Sequence, residues 1–490
     1  MKKLFKNYLF FGVGLFLLIF FPISAKADII GDYINFRINS SFSLNNTVVD
    51  SAFLQSTTSK LYFYFDKDWW NSKTSTERKD INSALSVLGT EFETNIYPKL
   101  TSIYGSEWIP GIDNDPKITI LFIPMKQGTN GYFRNVDGYE KMVSPESNQR
   151  EMIYINTDIV LGSLLNEAVT HEFTHLIEFN QKERKTGEAE DIWLNEARAE
   201  YAVTIVGYND PKKSNNYISQ RVNGFMQNPF DSLVEWQGAT SDYGIVNLFT
   251  NYLVEQYGIS ILTDSLKSDK TGINSINYAL LKNGYVQTFS DIFKDFSVAI
   301  YINDCSVSSK YCFTDDNLKD VRVIPFGNFL PFSGDSSLSI GQTFSNWSAH
   351  WQKFSGAKGD VQFDFDGKDQ DGLNVMYITK DFSGKSDIKE LKLDKDKKAT
   401  IVIKNMGIDR ASVIIIPSVE NVNLSIKDPS HFFYYITTKT LSDDSQPNQE
   451  SSINFPFSID KPLSQMNREE LLVVLLKVII YLVSQGKLTF

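Results

Sequence analysis

Apolar residues follow a strand-like spacing early in the chain, a helical spacing in the middle, and a strand-like spacing again towards the end. Up to about residue 160, short apolar runs bounded by turn residues are typical of strands. The runs are 60–65, 118–123 and 150–156. One helical pattern, at 75–100, lies between them. Regular structure is expected to begin at Lys60, after a polar segment at 28–59 that is either a short leader or an edge element.

Helical periodicity dominates from about residue 160 to about residue 304, with turns at intervening glycines. The predicted helices are 161–182, 190–206, 242–257, 272–283 and 288–303. Because strands come first and helices follow, the pattern predicts an α+β domain at 60–322.

The strand-like spacing returns after residue 322. Val361, Phe363 and Phe365 alternate with polar residues, and further short apolar runs follow at close intervals. This pattern predicts an antiparallel β-sandwich domain at 323–440. The polar stretch at 441–465 is typical of a flexible linker.

The last segment, 466–490, predicts a C-terminal helix that is apolar nearly all round. Asn467 and Glu470 have the spacing of a capping box, and Lys477 is the one charged residue in the apolar run 471–483. The run is too short to cross a bilayer. We therefore expect the helix to pack against a partner helix, against a second copy of the chain or on the cell surface, in that order.

Residues 1–27 have the features of a secretory signal peptide. Lysines near the start precede an apolar run at 8–21, and Ala25-Lys26-Ala27 matches the small residues that a signal peptidase requires. An uncleaved N-terminal anchor is the alternative. In either case we expect the mature chain to lie outside the cytoplasm, secreted or attached to the cell surface.

Composition and charge narrow the function only a little. The chain has 490 residues, 42% of them hydrophobic and 22% charged, which excludes collagen, a wholly disordered chain and a polytopic membrane protein. The formal net charge of −11 argues against nucleic acid as a main partner. The two cysteines, Cys305 and Cys312, are expected to close a small disulfide loop in an oxidising compartment, with two free thiols as the alternative.

The chain has four histidines, and two of them form the pattern His171-Glu172-Phe173-Thr174-His175. Positions four apart share one face of a helix, so both imidazoles can reach one metal ion, with Glu172 beside them. The alternative is a pair of buried histidines without a metal. That alternative is disfavoured, because it would leave a carboxylate in an apolar setting.

A catalytic zinc needs a third protein ligand and an open position for water. Glu196 follows His175 by 21 positions, and its apolar neighbours indicate an inward-facing helix. Glu200 lies one turn further on the same face. One of the two glutamates can bind metal while the other accepts the ring N–H of a ligating histidine. The acidic residues just before this helix are interpreted as a solvated face: Glu188, Glu190 and Asp191.

HEFTH at 171–175 followed by WLNEARAEY at 193–201 resembles the gluzincin clan of zinc metallopeptidases. Further stretches make the chain similar to the hyicolysin-type metallopeptidases. They are GIDNDP at 111–116, NQREMIY at 148–154, FNQK at 179–182, DYG at 242–244 and YLVEQYG at 252–258. The resemblance covers residues 60 to 304. The β domain is more weakly similar to the domains that follow the catalytic part of secreted peptidases.

The resemblance implies a thermolysin-like catalytic domain with one zinc ion per chain. The zinc ligands that it implies are His171, His175 and Glu196. Glu172 would be the general base, Glu200 would orient His171, and the strand at 150–156 would be the edge strand that binds substrate. The donor that stabilises the transition state is expected to be Tyr243, with Tyr201 and His350 as alternatives.

The sequence therefore predicts a secreted zinc endopeptidase that acts on proteins or peptides. A catalytically silent surface binding protein on the same fold is the alternative from another class, and hydrolysis of a non-peptide amide or ester is a third reading. The intact Glu172 and Glu196 favour the enzyme. A calcium ion is a weaker prediction, because its acidic residues miss the EF-hand spacing and a solvated turn is favoured. Those residues are Asp364, Asp366, Asp369 and Asp371.

Overall fold

The computed structural model describes residues 27–209, 217–331, 337–368, 370–420, 432–441 and 471–477. The described residues up to Thr440 form one compact unit, and Leu441 and the helical residues 471–477 belong to a second. The predicted signal peptide (apart from its last residue), the predicted linker and most of the predicted terminal helix lie outside the described residues. Within the described part of the chain, no helix is both long and apolar enough to cross a membrane.

A six-stranded sheet forms the first layer, in the order β1-β2-β3-β4-β6-β5. Its strands are β1 (Tyr33–Arg37), β2 (Val49–Thr57), β3 (Leu61–Asp66), β4 (Ile118–Ile123), β5 (Gly131–Phe133) and β6 (Met152–Asn156). β3, β4 and β6 run parallel, and β5 pairs antiparallel with β6 at the edge. The central strands are buried on both faces, which explains their continuous apolar sequences.

Two expectations about this sheet were wrong. Regular structure begins at Tyr33 rather than Lys60, because β1 and β2 lie within the polar segment 28–59. Of the two alternatives for that segment, the edge element is the one observed, since β1 forms one edge of the sheet. The strand at 150–156 is not the edge strand, because β6 lies between β4 and β5. The edge strand on that side of the sheet, next to α4, is β5, whose three residues are too few to produce a strand pattern in the sequence.

Ten α-helices are described between residues 67 and 302, and of these α1 and α4 pack against strands of the first sheet. They are α1 (Lys67–Asn71), α2 (Ser75–Glu91), α3 (Tyr97–Tyr104), α4 (Leu165–Glu178), α5 (Ile192–Val206), α6 (Tyr217–Gln227), α7 (Thr240–Tyr257), α8 (Ser260–Leu266), α9 (Gly272–Lys282) and α10 (Phe289–Ile302). A π-helical turn at Phe92–Ile96 joins α2 to α3, and another at Phe179–Arg184 extends α4. The sequence pattern predicted neither α6 nor α8, whereas the five helices predicted after residue 160 are present with shifted ends.

The second layer is a β-rich domain of nine strands. They are β7 (Phe326–Leu330), β8 (Ser337–Phe344), β9 (Gln352–Gly356), β10 (Gly359–Asp366), β11 (Leu373–Asp381), β12 (Ser386–Glu390), β13 (Lys398–Met406), β14 (Arg410–Val419) and β15 (Phe432–Leu441). Strands β12-β11-β14-β9-β7 form one half and β13-β10-β15-β8 the other, and the pair Met406 and Arg410 joins the two halves. Both halves contribute to one apolar core, with Phe363 from one and Val413 from the other. Most neighbouring strands are antiparallel, but β7 and β9 are parallel, as are β13 and β14 at their one paired position.

The β-rich domain shares a hydrophobic core with the helices α1–α10, called the helical layer below. Trp347 lies 4.9 Å from Phe289 and 5.6 Å from Phe293 between ring centroids, and the indole of Trp351 donates a hydrogen bond of 2.8 Å to Ser297 O in α10. Cys305 and Cys312 form a disulfide in the loop after α10, with their Cα atoms 5.0 Å apart. The segments on either side of residue 322 therefore pack as one unit.

Candidate metal centre

Helix α4 places two histidines on one face beside α5. Its apolar residues, among them Val169, Phe173 and Ile177, are buried in the core and set the rotation of the helix about its axis. His171 and His175 consequently point to the side where α5 and the edge strand β5 approach α4.

Three side chains from α4 and α5 converge on one point. His171 Nε2 lies 3.2 Å from His175 Nε2 and 3.1 Å from Glu196 Oε2, and His175 Nε2 lies 3.7 Å from Glu196 Oε1. Tetrahedral zinc with metal–nitrogen bonds near 2.0–2.1 Å places its ligand atoms about 3.3 Å apart. Within the described residues, this is the one group of three or more His, Cys, Asp or Glu side chains arranged to hold a metal ion.

The candidate ligand atoms of this cluster have lone pairs that are free to bind a metal ion. Glu196 Oε2 is buried, and no described residue gives it a hydrogen bond. The two Nε2 atoms face each other at a distance at which both cannot carry a proton. A divalent cation between the three side chains would use all of these lone pairs, so the donor set fits zinc.

Burial and mutual charge shift the pKa values of the cluster. Burial acts to lower the pKa of His175, but the carboxylate of Glu196 and then that of Glu178 outweigh it and raise the pKa to about 10. The pKa of His171 is raised as well, because Glu196 again outweighs burial. Burial acts to raise the pKa of Glu196, but the two imidazoles, His175 first, lower it. The cluster therefore combines an ionised carboxylate with a strong preference for positive charge.

Glu172 lies in the same cleft, between α4 and the edge strand. Its side chain is buried, and burial raises the pKa of its carboxyl group. A Cβ atom placed on Gly131 of β5 would lie 2.9 Å from Glu172 Cγ, so the two residues are in close contact. The arrangement brings an acid with a raised pKa next to the candidate metal ligands.

Glu200 faces His171 without a hydrogen bond to it. The distance from His171 Nδ1 to Glu200 Oε1 is 3.6 Å, and no described residue gives His171 Nδ1 a hydrogen bond. Instead, the carboxylate of Glu200 accepts hydrogen bonds from the Tyr217 hydroxyl, the Arg221 guanidinium and Asn247 Nδ2. Glu200 thus links α6 and α7 while its carboxylate stays 3.6 Å from the ring of His171, so its role in orienting that ring stays a prediction.

Glu178, which the sequence pattern did not indicate as a site residue, contacts the other histidine. Its Oε2 lies 3.1 Å from His175 Nδ1, and its Oε1 lies 3.4 Å from Arg198 in α5. Arg198 also donates a 2.9 Å hydrogen bond to Glu190. The side chain of Glu190 is 1% exposed, so its assignment to a solvated face was wrong. The three-residue spacing from His175 is the sequence signal that could have identified Glu178.

The cleft at the cluster has a volume of about 530 Å³. Of the three residues considered as transition-state donor, Tyr243 lines it, with its ring centroid 6.4 Å from that of His171. Tyr201 packs against the core, and His350 lies in the β-rich domain, 3.2 Å from the Tyr434 hydroxyl. Burial and the nearby glutamates, Glu196 first, raise the pKa of Tyr243, so its hydroxyl stays protonated at neutral pH.

The acidic residues considered for calcium have protein partners where they are described. Asp364 accepts hydrogen bonds from Gln362 and Thr400. Asp366 forms an ion pair with Lys368 at 2.8 Å, and Asp371 one with Lys397 at 3.2 Å. Asp369 lies outside the described residues.

No protein-family model matches the chain, and no curated protein does. Among solved structures, a periplasmic inhibitor of g-type lysozyme, PliG of Aeromonas hydrophila, is similar over 24% of this chain and 97% of its own, at 10% identity and a TM-score of 0.17. The pre-peptidase C-terminal domain of collagenase from Bacillus anthracis is similar over 24% and 96%, at 8% identity and a TM-score of 0.16. The GH115 4-O-methyl-α-glucuronidase BtGH115A is similar over 66% and 51%, at 9% identity and a TM-score of 0.13. At TM-scores this low, none of these similarities supports a function for this chain.

Proposed function

We propose that this chain is a secreted zinc-dependent endopeptidase that hydrolyses protein or peptide substrates. The observation that carries the proposal is the convergence of His171, His175 and Glu196 in one cleft with Glu172. The resemblance of the two motifs to the gluzincin clan and to the hyicolysin-type metallopeptidases supports it. With that resemblance we also propose a thermolysin-like arrangement of the catalytic domain.

The two histidines and Glu196 would hold the metal. Zinc would supply a Lewis acid that polarises the scissile carbonyl and acidifies a water molecule. Glu172 would take the proton from the attacking water and pass it to the departing amine. The raised pKa of Glu172 suits this role, because the carboxyl group can hold the proton after taking it from water and until it passes to the amine.

Tyr243 is proposed to donate a hydrogen bond to the oxyanion that develops on the substrate. Its ring lies 4.8 Å from Trp236 in a T-shaped contact, and the guanidinium of Arg221 lies 4.9 Å from its centroid. These two neighbours fix the side chain before substrate binds. A donor held in place in this way stabilises the transition state without reorganising.

The edge strand β5 is proposed to bind the substrate backbone. Gly131 and Phe133 line the cleft, and the partner of β5 in the sheet is β6, on the other side. An extended peptide can add to such an edge through main-chain hydrogen bonds. It would then pass directly over Glu172, which lies next to Gly131.

The proposal is tested by comparing two Glu→Gln variants of residues 28–490. The measurements are metal content after purification and cleavage of an unfolded protein such as reduced casein. Glu172→Gln is expected to keep its zinc and to lose activity by about 10²–10⁴-fold, because it removes the proton acceptor. Glu188→Gln, in the exposed turn before α5, is the matched control and should behave like the wild type.

Three results would decide against the enzyme. They are a wild-type protein without zinc, a zinc-loaded wild type that cleaves no peptide bond, and a Glu172→Gln variant that cleaves as fast as the wild type. A zinc-loaded but inactive wild type would favour the catalytically silent binding protein. Hydrolysis of ester or non-peptide amide substrates, without peptide cleavage, would favour an enzyme that acts on such compounds through the same zinc site.

A further inference from the structure

His175 belongs to a hydrogen-bonded chain of buried charges that runs away from the cleft. Glu178 contacts His175, Arg198 contacts Glu178, and Glu190 contacts Arg198. Lys182 is the last member of this chain of charges, and its Nζ lies 3.6 Å from Glu190 Oε2. The side chains of these four charged residues are at most 2% exposed.

The chain of charges is balanced and anchored. It contains two carboxylates and two cations, so no charge is left without an opposite partner, which burial requires. Arg198 also donates a 2.9 Å hydrogen bond to Ser265 Oγ, and Lys182 Nζ donates to the carbonyl oxygens of Ser265 and Ser268. The network is therefore tied to α8 and its following turn, and Arg198 has little freedom to move.

The two histidines differ in the contacts of Nδ1, the ring nitrogen that does not face the other two candidate ligands. His175 Nδ1 is 3.1 Å from a carboxylate whose position Arg198 fixes, whereas His171 Nδ1 is 3.6 Å from Glu200. A carboxylate at Nδ1 keeps the proton there and leaves the lone pair on Nε2, the atom that faces His171 and Glu196. Glu178, which lies outside the cluster, thus favours one tautomer and one orientation of the His175 ring.

We propose that Glu178, held in place by Arg198, is a positioning residue for the metal ligand His175. The inference rests on the proposed zinc function and assigns a role that the resemblance does not. Glu178 accepts the Nδ1–H of His175, so that the ring presents Nε2 to the metal in a fixed direction. A carboxylate of this kind is worth about 10–100-fold in metal affinity.

The competing explanation is that the network only stabilises the fold. Glu190 separates the two explanations, because it pairs with Arg198 and Lys182 in the same network but does not contact His175. Glu178→Gln and Glu190→Gln each remove one buried negative charge. Both should lower thermal stability, but only Glu178→Gln should act on the metal site.

The test is the Kd for zinc of the full mature chain, measured by competition with a chromophoric chelator after metal removal. Glu178→Gln should raise the Kd by about 10–100-fold, and Glu190→Gln should leave it within about twofold of the wild type. An unchanged Kd in Glu178→Gln overturns the inference, as does an equal loss in Glu190→Gln. A wild type that binds no zinc would instead overturn the proposed function itself.

A second variant and a spectroscopic measurement cover the case in which Glu178→Gln does not fold. Glu178→Asp keeps the charge near Arg198 but withdraws it from His175, so it should fold and still bind zinc more weakly. With four histidines in the chain, ¹⁵N-histidine labelling of the zinc-loaded wild type should show His175 bound through Nε2 with a proton on Nδ1. A wild-type Kd in Glu178→Asp, or zinc on Nδ1 of His175, overturns the inference.

Discussion

Gly131 in β5 leaves the space in which the side chain of Glu172 lies. A Cβ atom at Gly131 would lie 2.9 Å from Glu172 Cγ and 2.9 Å from the carbonyl oxygen of Tyr154. The Glu172 side chain can move to relieve the first contact, whereas the second is with the backbone of β6 and also requires a shift of β5. The position of the proposed base therefore depends on a residue without a side chain in the edge strand.

Replacing Gly131 by Ala should displace Glu172 and slow peptide cleavage. A shift of about 1 Å in a catalytic group can cost about 10²-fold, so kcat/KM should fall by about 10–100-fold while zinc content stays unchanged. Gly327→Ala in β7 is the control, because a Cβ there meets nothing within 4 Å. Cleavage by Gly131→Ala at the wild-type rate would show that Glu172 does not need this space.

Replacing Tyr243 by Phe removes the proposed donor and little else. Loss of one such donor lowers kcat by about 10²–10³-fold, and KM and zinc affinity should change little. Tyr201→Phe, whose ring packs against the core rather than in the cleft, should retain wild-type kcat. If Tyr243→Phe keeps its activity and His350→Gln loses it, the donor has been assigned to the wrong residue.

His350 predicts a loss of stability in mild acid. Burial among Phe230, Phe344 and Tyr434 lowers the pKa of His350 to about 4, whereas a histidine in the unfolded chain titrates near 6.5. The unfolded state therefore binds more protons between these values. The contribution of His350 is present above pH 6.5 and is lost as the pH falls towards 4.

His350→Gln isolates this contribution from the titration of carboxylates elsewhere. Between pH 7 and pH 4.5 the free energy of unfolding should fall by about 2 kcal/mol more in the wild type than in the variant. Urea unfolding at the two pH values measures both. Equal falls in the two proteins would mean that His350 keeps an ordinary pKa in the fold.

Trp347 predicts that the β-rich domain and the helical layer unfold together. Its ring is 1% exposed and packs on Phe289 and Phe293. Trp347→Ala should lower the free energy of unfolding by about 3–5 kcal/mol, in a single transition seen by both near- and far-UV circular dichroism. Phe433→Ala, at an exposed ring of the same domain, should cost less than about 1 kcal/mol. Two separate transitions would show that the two layers are independent.

Local spacing predicted the parts of the site that lie on one helix. His171 and His175 are four positions apart, and helical geometry alone brings their rings together. The strand at 118–123 was predicted to the residue, because burial on both faces leaves no polar interruption. Glu196 was predicted as a candidate ligand in a similar way, because the apolar residues on either side of it indicate the inward face of its helix.

The errors concern contacts between separate elements of the fold. Glu190 lies in a polar stretch and has no local sign of burial; it is buried because Arg198 and Lys182 approach it. β5 has three residues and became an edge strand through its pairing with β6. Glu200 does face His171 at 3.6 Å, and its carboxylate also accepts hydrogen bonds from Tyr217 and Arg221, which lie on a helix that the pattern did not predict.

The central claim is that a metal held by His171, His175 and Glu196 is needed for peptide cleavage. The most direct test strips the purified chain, residues 28–490, with a chelator and follows cleavage of casein as zinc is returned. We predict that cleavage disappears with the metal and returns in full at one zinc per chain, and that His175→Ala is not restored. Cleavage that persists in the stripped protein, or that returns equally in His175→Ala, would contradict this account.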